Sequence, residues 1–168
     1  MKKNLLLILI IPFLVGGCKV SYGFTSGSID YDVLKTIQIH DFQNQALEVY
    51  APLTQQFNED MRDFFTRNTK LNFTNVNPDI EFEGEIIRWD FAPLDVKEDA
   101  FAAQTRLTMS VRVRYRNNKQ PEKDKEETFT AYRDFDASSL VSEAQDRLIP
   151  QLNKEIIDQI FNSTLSDW

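Results

Sequence analysis

The sequence predicts an α+β fold: a two-layer sandwich in which a mixed sheet of four to five strands carries two helices on one face. Three observations lead there. Residues 105–116 alternate, with Leu107, Met109, Val111, Val113 and Tyr115 on one side and Arg106, Thr108, Ser110, Arg112, Arg114 and Arg116 on the other. A strand with one dry face reads this way. Two other stretches, one early and one at the end, space their apolar residues at three and four, as amphipathic helices do. The early helical stretch lies between strand-like segments and the late one follows a meander of strands. One sheet with both helices on the same face is the economical solution to that order.

Each element has its own reason. The first strand is expected over residues 33–42, where Leu34, Ile37 and Ile39 stand in a β-rich run. Pro52-Leu53-Thr54 then opens a helix, because proline is tolerated in a first turn whose amides lack helical partners. Leu53, Phe57, Met61 and Phe64 follow at intervals of four, four and three, one buried stripe that ends near Asn68. A short strand at 71–75 precedes a turn at Asn77-Pro78. Beyond it Ile80, Phe82, Gly84 and Ile86 alternate with Glu81, Glu83 and Glu85, and the apolar parity then passes to Ile87, Trp89 and Phe91. A switch of faces by one residue predicts a bulge near residues 86 and 87. After the strand at 105–116, residues 117–127 form a charged connector containing Pro121, expected as a long, mobile hairpin tip. A further strand covers 128–135.

The closing helix starts near Ser138 or Ser139, either of which can cap its free amides. Val141, Ala144, Leu148 and Leu152 form its first stripe, whereas Ile157, Phe161 and Leu165 fall on another side. The apolar centre moves by about a third of a turn beyond Pro150 at 100° per residue. Either a kink at Pro150 brings the two halves onto one surface, or the second half buries a wider face.

The N-terminus carries a different kind of signal. Lys2 and Lys3 precede an unbroken apolar run of eleven residues from Leu5 to Val15, then Gly16-Gly17 and Cys18, the sole cysteine. A basic start, a short apolar stretch and small residues make a secretory signal peptide. Eleven residues are too few for a span, which needs ~20. The ending Val15-Gly16-Gly17-Cys18 resembles the lipobox of bacterial lipoproteins. That resemblance implies a diacylglycerol on the Cys18 sulfur, cleavage before Cys18, acylation of the new amino group (palmitate among the acyl chains), and firm anchoring, because two or more chains hold a protein on a bilayer where one does not. An ordinary signal peptide with a spectator cysteine is the plainer alternative. The expected organisation is therefore a signal peptide over 1–17, a lipidated tether over 18–31 and one α+β domain over 32–168. The tether reading rests on a Ser- and Gly-rich composition without period, against which Tyr22 and Phe24 could dock on the domain.

Composition narrows the function. Residues 1–17 hold two of the 19 basic residues and none of the 26 acidic ones, so the remaining 151 carry a formal charge of −9. Such a chain is ill suited to nucleic acid, whose binding rests on neutralising phosphates. Thirteen phenylalanines argue for a packed core rather than disorder. No phosphate-cradling glycine loop is present, and one histidine with one cysteine cannot build a His/Cys metal centre. His40, on a predicted strand, reads as structural, and Glu81, Glu83 and Glu85 read as solvated strand charges. The chain is expected to be no enzyme, with no catalytic residue, metal or cofactor.

The remaining feature is the arginine row Arg106, Arg112, Arg114 and Arg116. Guanidinium forks suit phosphate and carboxylate recognition because they donate paired hydrogen bonds. The plainer expectation is a solvated sheet face whose arginines pair with glutamates on neighbouring strands, weakly, as exposed pairs do.

Taken together, the lipobox followed by CKVSYGFTSGSI, the segment FEGEIIRWDFAP, the strand RLTMSVRVRY and the ending EIIDQIFNSTLSDW resemble the LptE family of lipopolysaccharide-assembly lipoproteins, in its Bacteroidetes branch. The likeness runs from Cys18 to Trp168 and is carried by structural, not catalytic, residues. It implies a place on the periplasmic side of the outer membrane, where such proteins plug the LptD β-barrel, assist its assembly and contact lipopolysaccharide. Under it, Arg106, Arg112, Arg114 and Arg116 become candidate lipopolysaccharide contacts. The alternative is a lipid-anchored regulator or scaffold that binds an envelope enzyme or the cell wall.

Overall fold

The structure, a computed structural model, describes residues 29–48, 50–94 and 103–166. Its elements are β1 (Thr36–Ile39), β2 (Gln43–Asn44), α1 (Ala51–Asn68), β3 (Asn72–Phe73), β4 (Ile80–Pro93), β5 (Gln104–Asn117), a 3-10 turn (Pro121–Lys123), β6 (Lys125–Asp136) and α2 (Val141–Leu165). They form the expected α+β sandwich. The sheet has six strands rather than four to five, because the first predicted strand shortens to β1 and a further short strand, β2, follows just past its predicted end. Its order is β3-β1-β4-β5-β6, with β2 also paired to β4. β1 runs parallel to both β3 and β4, and β4, β5 and β6 are an antiparallel meander.

The interruption has a local cause. Between β1 and β2 the chain turns Phe42 into the core, where its ring lies 5.2 Å from that of Phe57 on α1. The ring occupies the space above Gly84, where an added Cβ would stand 2.5 Å from it and 2.3 Å from the Arg112 carbonyl oxygen. Buried Asn58 of α1 completes the joint, accepting the Phe42 N–H at 2.9 Å and donating to the Phe42 carbonyl at 3.1 Å. Two backbone groups that left the ladder are thereby satisfied, as buried groups must be.

Other elements depart from expectation in instructive ways. α1 buries Leu53, Phe57, Met61 and Phe65; Phe64, expected in the stripe, is only partly buried. Both phenylalanines reach Phe161 of α2, at 5.5 and 6.0 Å between ring centroids. The register of β4 against β5 shifts between Ile86 and Arg88, the bulge that the parity switch predicts. The 117–127 connector is no long tip: β5 runs to Asn117 and β6 begins at Lys125. Buried Asn117 organises what is left, donating its N–H to Asp124 and accepting those of Lys119 and Gln120. α2 begins after Leu140 with no side-chain cap. The Asp136 carboxylate takes the Ser138 amide and hydroxyl at the end of β6, so neither serine caps the helix.

α2 continues unbroken through Pro150 and buries Ala144, Gln145, Leu148, Ile149, Leu152, Asn153, Ile156, Ile157, Ile160 and Phe161. These recur in pairs every four residues, so the buried line winds round the helix by about 40° per step. The helix accommodates it by packing on both β6 and α1, which accounts for the change of side in the sequence. None of the described helices is long and apolar enough to cross a membrane.

Asp79 ties one end of the molecule together. One carboxylate oxygen accepts the N–H groups of Lys35 and Thr36 at 2.8 and 2.9 Å, and the other lies 3.1 Å from the Lys119 ammonium. Its own N–H bonds the Thr36 hydroxyl and its carbonyl takes the Asn118 N–H. Burial pushes its carboxyl up, yet the bonds from Lys35, Lys119 and Thr36 together outweigh that and lower it to about 2. Ile29 and Tyr31, within the segment read as tether, pack on this end; Ile29 is buried. The signal segment, Cys18, Tyr22 and Phe24 lie outside the described residues, as does Trp168.

The margins of the sheet are blunted. β3 contributes only two residues, and the carbonyls of Thr130 and Tyr132 on edge strand β6 accept the side chains of Gln159 and Arg133 at 3.5 and 2.7 Å.

Candidate functional site on the outer sheet face

The face of the sheet turned away from the helices carries the arginine row, and the meander decides what stands beside it. The register sets Glu81, Glu83 and Glu85 of β4 opposite Arg116, Arg114 and Arg112 of β5. On the other flank β6 places Glu126 opposite Arg114 and Asp134 opposite Arg106. Hydrogen bonds follow. Arg112 Nη1 donates to Glu85 Oε1 at 2.7 Å, Arg114 Nη1 to Glu83 Oε1 at 2.8 Å, and Arg114 Nε to Glu126 Oε2 at 3.1 Å. Arg116 Nη2 lies 3.2 Å from the same Glu83 oxygen. Arg106 grips both oxygens of Asp134, at 2.7 and 2.9 Å, and its guanidinium lies 4.0 Å over the Tyr132 ring.

The row is thus not a strip of uncompensated positive charge. Arg106 stands apart at one end, separated from Arg112, Arg114 and Arg116 by buried Thr108 and Ser110, whose hydroxyl meets that of Thr130 at 2.8 Å. The Arg114 hydrogen bond, with the charge of Arg116 behind it, holds Glu83 below the usual carboxylate range against the opposing push of burial. Bonds to Glu83 and then Glu126 raise Arg114 further above its ordinary value. The Arg106 bond likewise holds Asp134 low. All these pairs are largely solvated, so they fix side-chain positions more than they stabilise the fold.

Arg112 and Arg114 line an open concavity of about 320 Å³ with His40, Asp41, Glu83 and Glu85. His40 Nε2 is 3.4 Å from Glu81 Oε2, and its backbone N–H bonds the Phe82 carbonyl; it stands just past the end of β1 rather than within a strand. Among the described residues no three metal-ligating side chains gather. The concavity offers paired guanidinium donors, but an incoming anion must displace carboxylates already seated on them. Sequence reasoning named the arginines and missed the bidentate Asp134 and the stacked Tyr132. Folding the hairpin about Gln120 sets Arg106 against Asp134 and Arg114 against Glu126, and that signal was present in the chain.

The solved structures that the chain resembles share its architecture. A protein from Xanthomonas campestris matches with a TM-score of 0.57 at 13% identity, covering 79% of this chain and 85% of that one. A hypothetical protein from Chlamydia trachomatis matches with a TM-score of 0.50 at 13% identity, covering 80% and 99%. At such identities the likeness concerns the fold alone. No curated protein matches the chain. The family model described as LptE, lipopolysaccharide-assembly, matches residues 34–164, from the last turn before β1 to the end of α2. The chain therefore belongs to the LptE family of lipopolysaccharide assembly.

Proposed function

We propose that the protein is an outer-membrane lipoprotein, held on the periplasmic side by acyl groups on Cys18. There it plugs and assists the assembly of an LptD-type β-barrel and contacts lipopolysaccharide bound for the outer leaflet. The observation that carries this reading is the family match over 34–164. The outer sheet face supports it physically. A plug in a large barrel faces a wet, polar interior, and a face of interlocked arginines and carboxylates can meet such a surface without burying unpaired charge. Within that face, the concavity at Arg112 and Arg114 is where lipopolysaccharide phosphates or core sugars would engage. Competition from Glu83, Glu85 and Glu126 makes this contact weak and salt-sensitive.

Affinity capture of the lipidated protein from detergent-solubilised envelopes tests the partner. A large outer-membrane β-barrel is expected; recovery of only soluble or inner-membrane proteins points instead to the regulator or scaffold reading. Replacing Arg112 and Arg114 with glutamate should weaken lipopolysaccharide binding while leaving the circular dichroism spectrum unchanged. Undiminished binding refutes the contact.

A further inference from the structure

Past the two residues of β3 the margin of the sheet reverts to β1. Along β1 successive residues turn their main-chain groups to opposite neighbours. His40 donates to the Phe82 carbonyl of β4, whereas the carbonyls of Lys35 and Ile37 accept the N–H groups of Asn72 and Thr74. By the same alternation Ile39 turns its N–H and carbonyl to the β3 side, where Thr74 is the last residue bonded to β1. The chain leaves the ladder there: the Val76 N–H bonds the Thr74 hydroxyl, that hydroxyl donates to the Val76 carbonyl, and Asn77 follows with a φ of 47°. Among the described residues no hydrogen bond reaches the Ile39 N–H or carbonyl. This bare edge lines a concavity of about 390 Å³, walled by Arg62 and Thr66 of α1 on one side and by Phe73 and Thr74 on the other. Phe73 is 43% exposed and Val76 75% exposed, so open apolar surface and unpaired main chain coincide. The charge of the groove is already spent, because Arg62 is bonded to Asp41.

We infer that this groove takes one extended segment of the barrel partner, added to β1 as a further strand, uncharged where it enters and with an apolar side chain against Phe73. The inference rests on the proposed function and deepens it. Strand addition draws affinity from main-chain hydrogen bonds and specificity from pockets for alternate side chains, and the edge at Ile39 beside Phe73 supplies both. A charged residue entering here would find no free partner, since Arg62 and Asp41 hold each other. A neutral segment that alternates apolar and polar residues suits the groove, and the strands of a transmembrane barrel alternate in that way. A second copy of this chain does not fit. Its own edge is equally recessed between α1 and the Thr74 turn, and two recessed edges cannot approach to the ~3 Å of a hydrogen bond. The opening is short, about three residues or ~10 Å, so it takes a single segment rather than a whole strand.

The test uses the full lipidated chain, alone in detergent and together with the barrel it captures from the outer membrane. Alone, hydrogen exchange should find the Ile39 amide open and the His40 amide, bonded to Phe82, protected. In the complex the Ile39 amide should slow by about tenfold or more. A photoreactive p-benzoylphenylalanine in place of Phe73 should cross-link one extended segment of the barrel chain. Thr66→Trp, at an exposed position, fills the groove from α1; it should cut that cross-link about fivefold and leave the circular dichroism spectrum unchanged. Cross-links to a second copy or to this chain's own residues, an Ile39 amide already protected in the free protein, or a cross-link indifferent to Thr66→Trp overturns the inference. So does a captured barrel that changes nothing at Ile39 and is not cross-linked from position 73; the proposed function then stands without this groove. Recovery of no barrel overturns the proposed function itself, and the assignment of the segment with it.

Discussion

Replacing Asp79 by asparagine removes one charge and little else, which makes it a sharp probe of how the Ile29 end is held. An amide oxygen in place of Oδ2 can still accept the Lys35 and Thr36 N–H groups. The amide nitrogen then faces the Lys119 ammonium where Oδ1 had been, donor against donor. The carboxyl is lowered from 3.8 to about 2 in the folded protein. That difference corresponds to about 2 kcal/mol of stability, because each unit is worth about 1.4 kcal/mol. The group's pKa falls on folding, so its contribution is complete above about pH 4 and is lost as the pH drops through 4 towards 2. Urea unfolding followed by far-ultraviolet circular dichroism reads the effect. With a slope of roughly 2 kcal/mol per molar, the Asp79→Asn midpoint at pH 7 should fall by about 1 M. The gap between wild type and variant should close by pH 2.5 to less than half of that. A variant within about 0.3 M of wild type at pH 7, or a gap that does not narrow in acid, refutes the assignment of Asp79 as the tie.

Two further substitutions test the joint between the sheet and α1. Gly84→Ala drives a methyl into the Phe42 ring and the Arg112 carbonyl; because backbone cannot yield cheaply, a loss of about 2–3 kcal/mol is expected in the same urea assay. Asn58→Leu keeps the volume but strands both backbone groups of buried Phe42. It should cost roughly 2–5 kcal/mol, and hydrogen exchange should show the Phe42 amide losing its protection.

What could be read from the chain was what a single segment decides. β5 alternates because one face is dry for its whole length, and nothing distant disturbs it. The bulge in β4 announced itself as a change of parity, and proline 52 marked the start of α1. The failures all involve a second segment. The interruption between β1 and β2 depends on a missing Cβ at residue 84 and an amide at residue 58, so residues 33–42 alone look like one strand. Asp136, a strand residue, engages the Ser138 amide and hydroxyl, and its carbonyl takes the Ser139 amide, so the helix starts later, after Leu140. Phe65 rather than Phe64 faces the sheet because the helix orientation is set by Phe82 beneath it, 5.1 Å between centroids. At the candidate site the arginine row was visible as a pattern; its β6 partners could have been read by folding the hairpin about Gln120, whereas Glu83 and Glu85 depend on the register of β4 against β5.

The guarded margin of β6 bears on the proposed role beside a β-barrel. Under the proposed role, a domain that assists a β-barrel would work among chains whose strands had not yet found their neighbours. A long bare border there would be zipped onto any of them, and the helper would be consumed by its client. With Gln159 and Arg133 seated on the carbonyls of Thr130 and Tyr132, β6 is a poorer template along that stretch, and under the proposed role recognition there would fall to side chains and stay reversible until the barrel had closed.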